Sequence, residues 1–396
     1  MVSTEFPPMK GGVGRYTYNL TNSLRKFGID VFVVCDVYGM GEYREISSTN
    51  ANNSEILLKI VDSLHPDIIH IQYEQGLYGL SMDPKKPNKV GTNLDNFYNL
   101  CEVPIVTTFH STYTFKQWMS RARLMASASS YIGRHSRKVL DFIGEYWKHV
   151  LNYYSFHESN RDKFRKSRES IVFSNFMSRK IGGGNLIYHG AESYSNNIAK
   201  EEARAIFSLP AQSKIALALG FKTATKGWSI FERMRIPQGW SLVINSSRNY
   251  YCTESDNCNR VNRGDIIDLQ RGFLSDQDLS ILLRAVDAVI LPYTVSSSSG
   301  VMFDALAHKV PFVATDLEFF REFSSKGLGI TVRRDPDQFS EALMTLEKDY
   351  QSYIKAISQF KENLRWDNVA KKHLEVYTQI TNRTRVSTIP TTYHKL

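Results

Sequence analysis

The sequence predicts an α/β protein built from two Rossmann-like, doubly wound domains. Its 396 residues are enough for two domains with separate cores. Apolar strand candidates alternate with amphipathic helix candidates in both halves, which is typical of parallel sheets covered by helices. The hydrophobic content of 42% and the charged content of 22% are those of an ordinary globular protein.

The first half contains one series of strands and helices. The predicted strands, rich in apolar and β-branched residues, are Val2–Thr4, Asp30–Val37, Asp67–Ile71 and Pro104–Thr108. The predicted helices are Tyr16–Phe27, which Gly28 ends, and Ser54–Leu64.

The second half repeats this order. Strands are predicted at Ile215–Gly220, Ser241–Asn245, Ala288–Pro292 and Pro311–Thr315. Helices are predicted at Trp228–Met234, Asp276–Ala285 and Val301–His308, and most of Asp337–Ile380 is helical by periodicity. The least patterned stretch, Ala191–Lys200, is the candidate linker, and we expect the polar tail from Thr381 to fray. The predicted division of the chain is a first domain over residues 1–193, a second domain over residues 194–365, and a terminal helix and tail over residues 366–396 that pack on the first domain.

The positive charge is concentrated in one sub-region. Residues 116–180 hold fourteen basic and five acidic residues, an excess of nine that equals the formal net charge of the chain. Such a segment attracts anionic phospholipid, nucleic acid or phosphorylated substrates. Within it, Arg137–Tyr154 has apolar residues in rough helical register with Lys138 and Lys148 beside them. This pattern fits either an interfacial helix on anionic lipid or a core-facing helix beside a basic loop.

The cysteines and the hydropathy indicate the compartment. Cys252 and Cys258 match no zinc spacing, so we expect them, with Cys35 and Cys101, to be reduced thiols; a local disulfide or metal clip is the alternative. No stretch has the roughly 18 consecutive apolar residues of a spanning helix, and no secretory signal is visible. We expect a cytoplasmic protein, with peripheral contact to the inner face of the cell membrane.

Two motifs in the first half are site candidates. In 7-PPMKGGVGRY-16, Gly11 and Gly12 precede a helix whose N-terminal amides can hold an anion, although the spacing is not the dinucleotide fingerprint. A simple tight turn is the alternative. His110 follows a strand in 105-IVTTFHS-111, at the sheet edge where doubly wound folds bind ligands; a structural histidine is the alternative.

Two further motifs lie in the second half. In 217-LALGFKTATKGW-228, Lys222 and Lys226 suit a diphosphate, or are solvated loop lysines. In 296-SSSSGVMFDALAHKVPFVAT-315, a strand leads through a serine run into a helix. The predicted donor-site residues there are Ser299, Gly300 and Val301 for a phosphate, and Asp304 for ribose hydroxyls. A linker is the alternative, but linkers rarely join a strand and helix of one sheet.

These motifs together resemble the family 4 retaining glycosyltransferases of the GT-B fold, along nearly the whole chain. The segments that carry the resemblance are EFPPMKGGVGRY, PDIIHIQYEQGLYG, PIVTTFHS, LIYHGAE, LGFKTATKG, GFLSDQDLSILLRAVDAVILPY and WDNVAKKHLEVY. The resemblance implies two Rossmann-like domains facing across a cleft and a terminal helix that crosses back to the first domain.

The chain departs from the family at three places. Phe221 stands where an arginine often follows the glycine of the donor loop, and Ser296 stands where the first glutamate of the E-x7-E motif is usual. The second glutamate is Asp304 here. The family's first strand usually begins before the position of Val2, so we expect a short strand or a late start.

The resemblance implies transfer of a sugar from a nucleotide sugar to an acceptor hydroxyl, with retention at the anomeric carbon. Lys226, Lys222 and the helix that begins at Gly300 would stabilise the departing diphosphate, so neither a metal nor another cofactor is expected. His110 would lie near the donor sugar. A glycan or lipid-linked acceptor would lie on the first domain, with a soluble acceptor as the close alternative.

Other functions remain as alternatives. A sugar-nucleotide epimerase of the same fold would use cleft carboxylates such as Glu74 and Glu192. The two departures at Phe221 and Ser296 also suit a non-catalytic nucleotide-sugar-binding partner of another transferase. Nucleic-acid binding would explain the charge but not the glycine loops, and the missing dinucleotide spacing disfavours a dehydrogenase.

Overall fold

A computed structural model describes residues 1–83, 86–132, 138–194, 197–248, 261 and 263–387. Two parallel sheets with helices packed around them form the frame, which confirms the predicted α/β class. Among the described helices, none combines the length and the apolar character that crossing a membrane requires.

The first half is built on a short four-stranded sheet. Its strands, with a two-stranded extension and a hairpin, are β1 (Val34–Cys35), β2 (Tyr43–Arg44), β3 (Ile69–Tyr73), β4 (Leu80–Asp83), β5 (Lys86–Thr92), β6 (Ile105–Phe109), β7 (Glu169–Val172) and β8 (Asn185–Leu186). The order in the sheet is β3-β6-β7-β8, with all pairs parallel. Val2 bridges Val34 and Ile71, so it connects β1 to the free edge of β3.

The helices of this half cover the sheet and form a long surface hairpin. They are α1 (Gly12–Lys26), α2 (Asn53–Leu64), α3 (Asp95–Leu100), α4 (Phe115–Ile132), α5 (Lys138–Lys166) and α6 (Asn175–Ile181). The α1 helix buries Tyr16, Leu20 and Leu24 and ends before Gly28, whose φ of 78° suits glycine. A single 3₁₀ turn spans Gln75–Tyr78.

The second half is built on a continuous six-stranded parallel sheet. Its strands are β9 (Lys214–Phe221), β10 (Trp240–Ser247), β11 (Ile266–Asp268), β12 (Ala288–Leu291), β13 (Phe312–Thr315) and β14 (Gly329–Val332). The order is β11-β10-β9-β12-β13-β14. The chain adds strands outward from β9 on one side and from β12 on the other, so the switch point lies between these two strands.

The remaining helices cover this sheet and return the chain to the first half. They are α7 (Lys200–Ile206), α8 (Asp276–Ala285), α9 (Gly300–Ala307), α10 (Glu318–Ser324), α11 (Pro336–Lys348), α12 (Tyr350–Phe360) and α13 (Trp366–Ser387). The last of these packs on α1, where His373 Nε2 lies 3.4 Å from the Tyr16 hydroxyl. The expected crossover helix is therefore present. The residue boundaries of the domains stay a prediction.

Three predicted elements differ from the structure. The strand expected at Asp30–Val37 is reduced to β1, because the Phe32 carbonyl accepts from the Met1 ammonium and the Val33 amide donates to the Glu42 carboxylate instead of to a strand. The strand expected at Val2–Thr4 is reduced to one bridge residue. The helix expected at Trp228–Met234 is a 3₁₀ segment, Trp228–Glu232, which starts directly after the left-handed Gly227.

Some predictions fall partly outside the described residues. Cys35 and Cys101 are free thiols, as predicted, whereas Cys252 and Cys258 lie outside the described residues. Arg134 and Arg137 of the basic segment and the tail from residue 388 also lie outside them.

Candidate functional site

A cleft of about 390 Å³ lies between the carboxyl ends of the strands of the two sheets. Six of the nine predicted site residues line it, namely Gly12, His110, Lys226, Gly300, Val301 and Asp304. Gly11, Lys222 and Ser299 are not among its lining residues. A second cavity of similar volume lies inside the first domain, between α1, α2, β3 and α13, and holds none of the predicted residues.

Glycine geometry shapes the loop that presents Lys226. Gly220 has a φ of 139° and Gly227 a φ of 72°, conformations that favour glycine. A Cβ atom at Gly227 would lie 1.9 Å from the Pro292 carbonyl oxygen, so the loop after β9 lies directly against the end of β12. The Thr294 amide donates to the Thr225 carbonyl at 2.9 Å and joins the two loops at the switch point.

The Lys226 ammonium is held by an aromatic ring. Its Nζ lies 3.8 Å from the centroid of the Tyr293 ring, a cation–π contact. None of the ion pairs of the described residues involves Lys226, so its charge is not neutralised by a carboxylate. The Lys222 amide extends the pairing with Ser247, and Lys222 is not among the residues that line the cleft. Lys226 is therefore the lysine suited to an anion here.

The serine run is a capped helix start and also a contact between domains. Ser299 Oγ accepts from the Met302 amide at 3.2 Å and caps α9. Within the described hydrogen bonds, the amides of Gly300 and Val301 have no acceptor, so they can bind an anion. The Ser298 hydroxyl donates to the His110 carbonyl at 3.1 Å across the cleft.

Ser296, at the departure from the family motif, is buried and turns into its own loop. Its hydroxyl donates to the Ser298 carbonyl at 2.9 Å, and it is not among the residues lining the cleft. It therefore shapes the loop from within.

Asp304 lies one turn into α9 and is paired with a residue of the first domain. Arg15 Nη1 and Nη2 donate to its two carboxylate oxygens at 2.7 and 3.1 Å, and Arg15 Nε donates to Asp276 at the start of α8. The Asp304 side chain is only 4% exposed and that of Arg15 is 22% exposed. Burial opposes the charge on Arg15, but the two carboxylates outweigh it and raise the pKa of the guanidinium. The predicted ribose-binding carboxylate thus already holds a fork-shaped ion pair.

The glycine loop accommodates a carboxyl group of its own chain. Glu5 Oε2 accepts from the Gly14 amide at 2.9 Å, at the N-terminus of α1. A Cβ atom at Gly11 would lie 1.7 Å from Glu5 Cδ, whereas a Cβ atom at Gly12 would have nothing within 4 Å. Burial raises the pKa of Glu5. Gly11 therefore makes room for Glu5, and the anion position expected at this helix is occupied by that carboxyl group.

His110 follows β6, as predicted, and is buried between aromatic rings. Tyr16 and Phe173 each meet its ring edge-on, with centroids 5.2 Å away. Its Nε2 lies 2.9 Å from Gln72 Oε1. Burial, with a smaller effect from His189, lowers the pKa of His110 to about 3, so the imidazole is neutral at physiological pH.

Four residues of the site were missed in the sequence, namely Glu5, Arg15 and His189, which line the cleft, and Gln72, which is buried behind His110. Burial lowers the pKa of His189 to about 4, and its ring stacks on Phe303 of α9. Glu5 and Arg15 stand inside the quoted glycine motif, but their partners could not be read from spacing. Of the two carboxylates expected for an epimerase, Glu74 lines the cleft and Glu192 is not among its lining residues.

The charged and polar groups divide between the two walls of the cleft. The second domain brings an ammonium and two helix-terminal amides, a set suited to a diphosphate. The first domain brings Glu5, Glu74 and neutral His110, a set suited to hydroxyl groups. Among the described residues, no trio of His, Cys, Asp or Glu side chains is arranged to hold a metal ion.

The long α5 helix has an exposed apolar face. Val150 and Phe156 are buried, but Ile143, Trp147, Leu151 and Tyr154 are exposed and follow one another at helical spacing. Trp147 is 56% and Leu151 67% exposed. The helix therefore has one side packed on the protein and one apolar side facing out, and the choice between an interfacial and a core-facing helix stays a prediction.

Comparisons with known protein families agree with this architecture. The family described as Glycosyltransferase Family 4 matches residues 10–140. The family described as Glycosyl transferases group 1 matches residues 253–349. The two matches together cover more than half of the chain and include both halves. No curated protein matches the sequence significantly.

Solved structures of low sequence identity share the fold. The sucrose-phosphate synthase of Thermosynechococcus elongatus is 15% identical with a TM-score of 0.66, and 94% of each chain is covered. A glycosyltransferase of Rickettsia africae is 14% identical with a TM-score of 0.63, over 96% of this chain and 97% of its own. HepE of Anabaena, solved with UDP and glucose, is 13% identical with a TM-score of 0.61, over 95% and 98%. These likenesses show the GT-B fold.

Proposed function

Since the chain belongs to the group 1 glycosyltransferases of the family 4 type, we propose that it moves a sugar from a nucleotide sugar to an acceptor hydroxyl, with retention at the anomeric carbon. The observation that carries the proposal is the switch point of the second sheet, where Lys226 and the amides of Gly300 and Val301 converge on the cleft. HepE of Anabaena was solved with UDP-glucose, which supports a nucleotide-sugar donor for a chain of this fold.

The proposed reaction needs positive charge where the diphosphate leaves. The bond between the anomeric carbon and the β-phosphate oxygen breaks, and the acceptor oxygen bonds to the same face of that carbon. The acceptor proton passes to the released phosphate oxygen. Lys226 and the α9 amides stabilise the growing negative charge, so we propose that the transfer proceeds without a metal ion.

The donor ribose would lie at Asp304. A carboxylate offers about four acceptor positions, and the paired Arg15 donors use two of them. The remaining positions can accept from the ribose hydroxyls.

A binding panel tests the donor proposal. The full chain is titrated calorimetrically with uridine, guanosine and adenosine diphosphates and their sugar conjugates, with and without EDTA. We expect one nucleotide to bind and its sugar conjugate to be turned over in both conditions. Absence of binding by the whole panel would rule out the transferase, and binding without turnover by any acceptor mixture would favour the non-catalytic partner.

The acceptor side suggests a membrane. We propose that the exposed face of α5, defined by Ile143, Trp147, Leu151 and Tyr154, lies in the headgroup region of the inner face of the cell membrane and brings a lipid-linked glycan acceptor to the first domain. Trp and Tyr favour that region, and the exposed Lys148 ammonium favours anionic lipid.

Vesicle flotation tests this surface. We expect the protein to float with phosphatidylglycerol vesicles, more weakly with phosphatidylcholine vesicles, and to lose flotation when Trp147 and Leu151 are both changed to Ser. Met344→Ser removes an exposed apolar side chain of α11 in the second domain and serves as the matched control. Equal partitioning of the wild type and the double variant would refute the membrane contact and favour a soluble acceptor.

A further inference from the structure

A buried hydrogen-bond network of polar side chains runs from His110 into the first domain. Gln72, on β3, is fully buried and lies between His110 and His70. His70 Nε2 lies 2.7 Å from the Thr108 hydroxyl, and its Nδ1 lies 2.5 Å from the Tyr377 hydroxyl of α13. The network therefore joins the cleft to the crossover helix without crossing solvent.

The contacts of Gln72 fix the orientation of its amide group. The thioether sulfur of Met1 lies 3.1 Å from Gln72 Nε2, and a thioether is only an acceptor. The NH₂ group must therefore point to Met1 and to His70 Nε2 at 3.3 Å, which leaves Oε1 directed at His110. Neutral His70 then carries its proton on Nδ1 and donates it to the Tyr377 hydroxyl, and the Gln72 amide and the Thr108 hydroxyl share the single lone pair on His70 Nε2.

We propose that Gln72 is a positioning residue that locks His110 in the Nε2–H tautomer, so that His110 Nδ1 keeps a lone pair for a hydroxyl group of the bound sugar. The carbonyl oxygen of an amide accepts only, so the His110 nitrogen 2.9 Å from it carries the proton. Among the described contacts, no residue hydrogen-bonds His110 Nδ1, and His110 lines the cleft.

The surroundings of His110 keep it neutral. The titratable groups that face it from the packed elements are Tyr16 of α1, His189 before the second domain and, beyond Gln72, His70 of β3. None of them is a carboxylate. Burial lowers the pKa of His70 as well, so neutral imidazoles lie at both sides of Gln72. The tautomer is therefore set by hydrogen bonding rather than by pH.

This inference rests on the proposed function only for the identity of the ligand. A neutral imidazole with a free lone pair cannot donate a proton to the leaving group from that nitrogen. It can accept from a sugar hydroxyl, which orients the sugar over the diphosphate site. His110 is then a sugar-orienting residue, and Gln72 sets its direction of hydrogen bonding.

The tautomer itself is measurable without any substrate. The full chain is labelled with ¹⁵N histidine, and two-bond correlations between ring protons and ring nitrogens are recorded across neutral and mildly acidic pH. Loss of one pattern in His110→Ala assigns the His110 signals. We expect a protonated Nε2 and an unprotonated Nδ1 throughout this range. The reverse pattern, or a mixture of the two tautomers, would overturn the proposal.

Variants separate positioning from simple stabilisation. Gln72→Met removes the acceptor at similar length, so we expect mixed tautomers and a fall in turnover of about tenfold, the effect of one lost hydrogen bond. Gln72→Glu places a carboxylate beside the imidazole and raises the pKa of His110. Turnover should then fall as pH decreases, an acid limb that the wild type lacks.

Thr108→Val is the matched control, because it removes another hydrogen bond of the same buried network but leaves the Gln72–His110 bond. It should lower the melting temperature and keep the wild-type tautomer and pH profile. If Thr108→Val changes the His110 tautomer as Gln72→Met does, a general loss of packing around the network is the cause of both changes, and the proposal fails. Loss of all nucleotide binding in the wild type would instead refute the proposed function and leave the tautomer result unaffected.

Discussion

The two walls of the cleft are built in different ways. The second-domain wall is formed by loops at the switch point of a regular parallel sheet, where Lys226 lies in the loop after β9 and Gly300 begins the helix after β12. The first-domain wall follows a short sheet, and side chains from distant parts of the sequence complete it. Local sequence thus determines one wall, and tertiary contacts determine the other.

The difference shows where each wall is sensitive to change. On the second-domain wall, glycine conformations and a helix start fix the backbone, so the ligand contacts come from nearby residues. On the first-domain wall, Arg15 and, behind His110, Gln72 act through partners that lie far away in the sequence. Changes there should affect stability and binding together.

The largest expected effect comes from breaking the tie between the walls. Arg15→Gln leaves the buried Asp304 carboxylate without its partner, a change that costs about 3–5 kcal/mol for a fully buried pair. Because Arg15 is partly exposed, we expect the low end of that range in urea unfolding, with a higher KM for the donor.

Arg365→Gln is the control for that change. It breaks a pair at 3.8 Å between half-exposed side chains, so its effect should be within about 1 kcal/mol. Equal effects of the two substitutions would show that the Arg15 pair contributes no more than a surface ion pair.

Removing the charge of the second-domain wall should lower the rate and leave the fold intact. Lys226→Ala is expected to lower kcat by about 10²–10³-fold, as for the loss of one donor to a developing anion. Lys222→Ala, in the same loop but away from the cleft, should change kcat little. Single-turnover rates with the identified donor provide the measurement, and similar losses for both lysines would contradict the assignment.

The two glycines of the first loop should respond in opposite ways. Gly11→Ala drives a Cβ atom into the Glu5 carboxyl and breaks its bond to Gly14, so we expect a loss of about 1–3 kcal/mol in unfolding free energy. Gly12→Ala meets open space in the cleft, so stability should hold while KM rises. Thermal unfolding and steady-state kinetics on both variants test this pair, and the reverse result would contradict the positions described here.

The smallest expected effect is a pH dependence of stability. Burial raises the pKa of Glu5 above its ordinary value of 4.5, so just above that pH the folded chain binds more protons than the unfolded chain. Stability contributed by this group is therefore lost as pH rises from about 4.5 to the raised pKa. Glu5→Gln removes this loss. The free energy of unfolding of the variant in urea should therefore rise relative to that of the wild type as pH increases. A difference in unfolding free energy that does not change with pH would show that the pKa of Glu5 is not raised.

The sequence predicted the second-domain wall well, because its signals are local. The periodicity of Asp276–Ala285 gave the bounds of α8, and the strand before the serine run placed Gly300 at a helix start at the sheet edge. Whether Asp304 binds ribose and Lys226 binds phosphate stays a prediction.

The first-domain wall could not be predicted from spacing. Arg15 lies within the glycine motif, but its partners Asp276 and Asp304 are 261 and 289 residues away in the sequence. Gly11 and Gly12 look alike in sequence, yet only Gly11 is crowded by Glu5. Gln72 gave no signal, since an alternating polar residue on a buried strand has no distinctive pattern. These contacts depend on side-chain positions that form only after the chain folds.

The α13 helix has a consequence for synthesis of the protein. Tyr16 and His70 are made before the second sheet, but their partners His373 and Tyr377 are made after it. A ribosome that has released the whole second sheet still holds back the helix that completes the first. The first domain is therefore completed only after the second sheet has been made, and a chain that stalls before α13 would expose its aromatic core to chaperones and proteases.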